Sequence, residues 1–118
     1  MNEEVLDLKE LLDRVQDDKE LLLELLDIYA DDFRNKRKLF ESAVRNKNCD
    51  ELKNLAHSLK GASGNISAIT LRGLFTTIED MAKRNDLNNM DGMMNTVDKS
   101  FEQLLTRIES IKKELGGS

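Results

Sequence analysis

The chain carries one histidine, His57, and one cysteine, Cys49, so few of its side chains can act as nucleophiles at neutral pH. His57 is followed by Lys60, Gly61 and Gly64. With His57 at 0° on a helical wheel, Lys60 falls near −60°, Gly61 near +40° and Gly64 near −20°. Leu55, Leu59, Ala62 and Ile66 lie beyond about 140° on one side or the other, with Ala56 and Ser63 on the shoulder of that arc. The imidazole is therefore expected to point away from an apolar core, with two glycines on the same outward face. A glycine inside a helix costs about 1 kcal/mol relative to alanine. A nearby helix end accounts for Gly64 but not for Gly61, which has a further turn to run. Removing side chains there gives a partner's surface access to the ring. An exposed imidazole, a cation at i+3 and cleared ground at i+4 and i+7 suit a nucleophile that carries phosphate.

The remaining side chains offer less. Cys49 stands at a helix start, two turns from His57, and makes a poor dyad with it. Met81, Met90, Met93 and Met94 read as core filler. The carboxylates are expected to decorate solvated faces, and none shows the spacing of a glycosidase or metal pair. There is no glycine-rich phosphate loop and no G-x-S-x-G turn.

The elements that must position His57 are helices. Leu8, Leu11, Leu12 and Val15 mark a short first helix. Asp17 and Glu20 have capping-box spacing and open a second, expected to run to about Asn46 along a stripe of Leu22, Leu26, Tyr29, Phe33, Phe40 and Val44. Asn48 and Glu51 repeat the cap pattern before the His57 helix, which breaks near residues 65–67. Leu71, Leu74, Phe75, Ile78, Met81 and Ala82 form a fourth helix, ending near Asn85 and Asp86. Met90, Met94, Val97, Phe101, Leu104, Ile108, Ile111 and Leu115 form a fifth with alternating spacings of 4 and 3. No strand pattern and no internal repeat competes. Connections of two to five residues predict an all-α, antiparallel four-helix bundle with a short additional N-terminal helix. The expected domain is 1–115, with 116–118 a tail or expression scar.

Composition agrees and excludes alternatives. The 118 residues contain no Pro and no Trp, and 35% are charged, against about 25% in an average domain. A chain of this mass exposes roughly 6,500 Å² when folded, enough for one core but not for an added nucleotide-binding lobe. A net charge of −5 disfavours nucleic acid. One cysteine and one histidine cannot build a zinc cage, and no apolar run approaches the roughly 20 residues of a membrane span. The unpaired cysteine suits a reducing, cytoplasmic location.

The segment Ala56-His57-Ser58-Leu59-Lys60-Gly61-Ala62-Ser63-Gly64-Asn65 resembles the signature of histidine-containing phosphotransfer (HPt) domains, H-x-[LI]-K-G-x-[SA]-x-x-[GS]. His57, Leu59, Lys60, Gly61 and Ser63 stand where that family has them. The likeness continues into the acidic, Leu-rich helix before and the L-x-x-L-F-x-x-I-E pattern after. Ser67 departs from it, since many members have Gly there before an Ala. The resemblance implies that His57 accepts a phosphoryl group from a receiver-domain aspartate and passes it to another receiver. Lys60 is then the phosphate charge partner, and Gly61 and Gly64 give the partner access. It implies no resident cofactor, with Mg²⁺ held by the response-regulator receiver, and no ATP-driven kinase activity in this chain, which would act as a monomer either alone or as part of a hybrid sensor kinase. Hairpin arithmetic puts Arg37 close to the level of His57, where it is a second-shell candidate or a snorkelling surface residue. The competing reading is a non-catalytic helical interaction module that binds a partner through the same face.

Overall fold

The computed structural model describes residues 2–116, with side chains from Glu4 onward. It contains α1 (Asn2–Val5), α2 (Leu8–Arg14), α3 (Lys19–Arg45), α4 (Cys49–Asn65), α5 (Ile69–Lys83) and α6 (Met90–Leu115), and no strand among the described residues. Helices α3 to α6 form the expected antiparallel bundle. The extents of 46 × 24 × 21 Å follow from its longest element, since 27 residues of α3 rise about 40 Å. The fold departs from expectation at the N-terminus, where the single turn α1 precedes α2 and Leu6 is buried between them. Gly116 caps α6. The rest of the expected tail, Gly117 and Ser118, lies outside the described residues.

Four helix ends close alike. After α2, α3, α4 and α5, the residues Gln16, Lys47, Ser67 and Asn85 each take positive φ, between 54° and 59°. At each end a 6→1 hydrogen bond spans the turn: Asp17 to Leu12, Asn48 to Ala43, Ala68 to Ser63 and Asp86 to Met81, N–H to carbonyl. This is the Schellman arrangement, here built without glycine. Two of the turns are as short as the motif allows. Asn48 both completes the end of α3 and caps α4, where its Oδ1 accepts from the Glu51 N–H. Ala68 does the same between α4 and α5, without a side-chain cap. The connection at 84–89 is longer than expected, because α5 stops at Lys83. The cap of α3 is Asp18, not Asp17: Asp17 is consumed by the preceding turn at φ 62°, and Asp18 accepts from the Leu21 N–H.

The core runs along the bundle axis. Phe33 stacks on Phe101 at 3.8 Å between centroids, and Phe40 packs on Phe75 at 5.9 Å, tying α3 to α6 and α5. A buried polar link, Tyr29 Oη with Ser63 Oγ at 2.7 Å, joins α3 to α4 in this part of the core. Burial, partly offset by that bond, pushes the Tyr29 hydroxyl up to about pKa 12, so it stays neutral and hydrogen-bonded. α4 is thereby held in register one and a half turns beyond His57.

Candidate functional site

His57 sits mid-way along α4. Its helix turns Leu52, Leu55, Ala56, Leu59 and Ser63 inward, and this leaves the imidazole on the opposite side, 68% exposed. The wheel reading of its orientation holds. Gly61, one turn on, has open space where a Cβ would stand. Gly64 differs: a Cβ there would meet Cδ and Nε of Arg72 at 3.5 Å. That glycine is covered by an α5 arginine rather than left bare.

The ring is not free on its inner side. His57 Nδ1 lies 2.9 Å from Glu79 Oε2, and Lys60 Nζ donates to Glu79 Oε1 at 2.6 Å. Lys83 Nζ adds a second cation at 3.7 Å from Oε2. Glu79 is itself buried. A buried carboxylate is stable only when paired and hydrogen-bonded. The hydrogen bond from Lys60 holds the Glu79 carboxyl below its ordinary value; burial opposes this and the His57 bond adds to it. An ionised Glu79 can only accept, so His57 Nδ1 carries the proton. The tautomer is set, and Nε2 presents its lone pair to solvent.

Sequence reasoning missed Glu79, having assigned the carboxylates to solvated faces. Its signal was positional. Residues 71, 75, 79 and 82 follow 4-4-3 spacing, so Glu79 falls inside the apolar stripe of α5 between Phe75 and Ala82. A carboxylate on a buried face calls for a cation, and α4 supplies one.

Arg37 is corrected. It does not reach the His57 face; its guanidinium grips Asp98 of α6, Nε to Oδ1 at 2.7 Å and Nη2 to Oδ2 at 3.0 Å. That bond raises the Arg37 pKa further above its ordinary value. The neighbour Lys36 is the residue that turns toward α4. Its Nζ donates to Ser58 Oγ at 2.8 Å and to Asp32 Oδ2 at 2.9 Å. Consecutive residues stand about 100° apart on a helix, so Lys36 and Arg37 fall on opposite flanks of the α3 stripe, toward α4 and α6 respectively. The axial register estimated from the hairpin was nearly right, and the side was wrong.

The arrangement is therefore a solvent-facing imidazole nitrogen with its tautomer fixed from behind and cations on both flanks. It has no enclosed pocket over the ring, and among the described residues no cluster of His, Cys, Asp and Glu stands ready to hold a metal. Such an open site is accessible from solvent and to a surface that docks on it. The fold and site define a helical bundle that presents its one histidine on an open face. The sequence model of the Hpt domain matches residues 24–112, and the chain belongs to that family, whose members serve as histidine phosphotransfer domains in two-component signalling. Among solved structures, the chain is similar to histidine-containing phosphotransfer protein B (HptB) from Pseudomonas aeruginosa PAO1. The TM-score is 0.82 and the identity 22%, over 97% of this chain and 96% of that one. At that identity the likeness bears on the fold. Comparison with curated protein sequences returns no match. No helix among the described residues is long and apolar enough to cross a membrane.

Proposed function

We propose that this chain is a phosphorelay intermediate that takes a phosphoryl group from the phospho-aspartate of one receiver domain onto His57 Nε2 and yields it to the aspartate of another. The observation that carries this reading is the exposed ring whose Nδ1 faces the buried Glu79 carboxylate at 2.9 Å. In the forward step Nε2 attacks phosphorus in line, the N–P bond forms, and the P–O bond to the aspartyl carboxylate breaks. Nδ1 keeps its proton, so the phosphorylated ring is cationic and Glu79 lies beside the charge. The return step reverses these bonds.

Lys60 serves both states. One of its three N–H donors holds Glu79, and the others are available to phosphate oxygens on His57. Gly61 keeps the approach clear. The transferring group spreads charge over three oxygens, so further positive charge is needed. A Mg²⁺ held by the receiver would supply it, and this chain would need no cofactor of its own. It acts as a monomer in the cytoplasm, without kinase activity.

The test is incubation with a phosphorylated receiver domain. The expected result is acid-labile phosphate on the wild-type chain, none on His57→Gln, and a melting curve for His57→Gln close to that of the wild type, because an exposed site carries little packing energy. Receiver binding with no label on the wild type would favour the interaction-module reading. Label on His57→Gln would place the acceptor elsewhere.

A further inference from the structure

A groove runs from the His57 face toward the N-terminus of the chain, lined by Arg14 of α2, Lys60, Gly61 and Gly64 of α4, and Ile69 and Arg72 of α5. Its cations are unequally engaged. Lys60 is tied to Glu79 and Arg14 to Glu10 at 3.4 Å, whereas Arg72 has no ion pair among the described residues. Arg72 is nonetheless placed. Its Cδ and Nε lie across Gly64, 3.5 Å from where a Cβ would be, and the missing side chain gives the arginine stem its seat against α4.

The wall bearing Arg14 is fixed by contacts between the start of α2 and the end of α4. The family match begins at residue 24 and leaves α1 and α2 outside it. Ser67 secures α2. Its Oγ donates to Glu10 Oε1 at 2.8 Å and its carbonyl accepts from the Asp7 N–H at 2.9 Å. The chain as a whole carries −5, yet Arg14, Arg72, Lys60, Lys83 and Lys36 gather around His57 and its groove, while the carboxylates near them, Glu10, Asp32 and Glu79, are each in ion pairs. Such local inversion of charge steers an oppositely charged partner to one face and sets its orientation.

We infer that this groove is the partner-selecting part of the docking surface, and that Arg72, seated on Gly64 and facing Arg14, binds a carboxylate on the rim of an acidic receiver domain. The inference rests on the phosphorelay reading and names what in this chain chooses the receiver. Arg72 is a positioning residue: the groove ends one turn short of His57, so it orients the partner and does not touch the transferring phosphate.

The experiment uses the full chain and, from the receiver domains of the same genome, the one that charges the wild type fastest. Transfer rates from that receiver are compared for the wild type, Arg72→Glu and Arg72→Lys across a salt series, and His57 is labelled in parallel with phosphoramidate, a donor too small to need docking. Arg72→Glu is expected to slow receiver transfer at least tenfold at low salt, with the gap closing as salt rises. Arg72→Lys should recover most of the rate, and phosphoramidate labelling should be equal in all three. Unchanged receiver transfer in Arg72→Glu overturns the inference and leaves the carrier reading intact. Parallel loss of phosphoramidate labelling overturns it too, by showing that Arg72 supports the His57 site itself. A wild type that accepts phosphate from phosphoramidate but from no receiver overturns the carrier reading, and this inference with it.

Discussion

Glu79 turns an exposed histidine into a directional nucleophile. An unconstrained imidazole exchanges its proton between two nitrogens, and some of its encounters would present the wrong one. With Nδ1 fixed on a buried carboxylate, Nε2 is the nitrogen left to attack in the proposed transfer. Glu79→Ala removes its bond to Lys60 and, at His57, one charge-assisted hydrogen bond of about 1.5–3 kcal/mol. If that bond acts in the transition state, transfer slows about 10- to 100-fold. Nitrogen-15 shifts of the ring separate this from mere destabilisation: the wild type should show the Nδ1–H tautomer and Glu79→Ala a mixture. The same residue shapes stability against pH. Its folded pKa is lowered, chiefly by Lys60. Its stabilising effect is therefore fully present above the unfolded value of about 4.3 and lost as pH falls through the folded one. Glu79→Gln should flatten the acid limb of the stability curve below about pH 4.3, as read by urea midpoints at stepped pH.

The helices explain what was legible in the sequence and what was not. The apolar rhythm from Met90 to Leu115 gave α6 its observed bounds, and Asn48 capped α4 as its spacing implied. His57, Gly61 and the inward arc followed from the wheel alone, because α4 is regular from Cys49 to Asn65. The turn α1 was not legible, since four residues are too few to show a period. Arg37 and Lys36 were confused because periodicity gives distance from the apolar line but not which neighbouring helix lies on which flank. Glu79 was overlooked because a carboxylate was assumed to be solvated although its position was apolar. Ser67 belongs to this scale as well. It holds φ 59° at the end of α4 and also bonds Glu10 of α2. A non-glycine residue in that region costs about 1 kcal/mol, comparable to the net worth of one hydrogen bond. Ser67→Ala keeps the backbone cost and loses the bond, so it should destabilise by about 1 kcal/mol. Ser67→Gly loses both and should stay within about 0.5 kcal/mol of the wild type in a urea titration.

At the scale of the whole molecule, the bundle holds His57 on an open face, and in the proposed transfer the partners supply the rest of the chemistry. Phe33 on Phe101, Phe40 on Phe75 and Tyr29 on Ser63 lock the helices together beneath an open face. A carrier of this kind should take no label from ATP by itself, and calorimetry with Mg²⁺ should be flat. Chelation should stall the mixed reaction with a receiver, because Lys60 alone cannot neutralise three phosphate oxygens. Transfer undiminished by chelator would mean that the bundle carries catalytic charge of its own.

The central claim is that a receiver's phosphoryl group arrives on one particular atom, Nε2 of His57. It is tested most directly by charging the nitrogen-15-labelled chain from a phosphorylated receiver and reading nitrogen–phosphorus coupling by NMR. The expected result is a single phosphoramidate signal coupled to His57 Nε2, with Nδ1 still protonated. Coupling to Nδ1, or a phosphorylated receiver that leaves the ring unmodified, would contradict it.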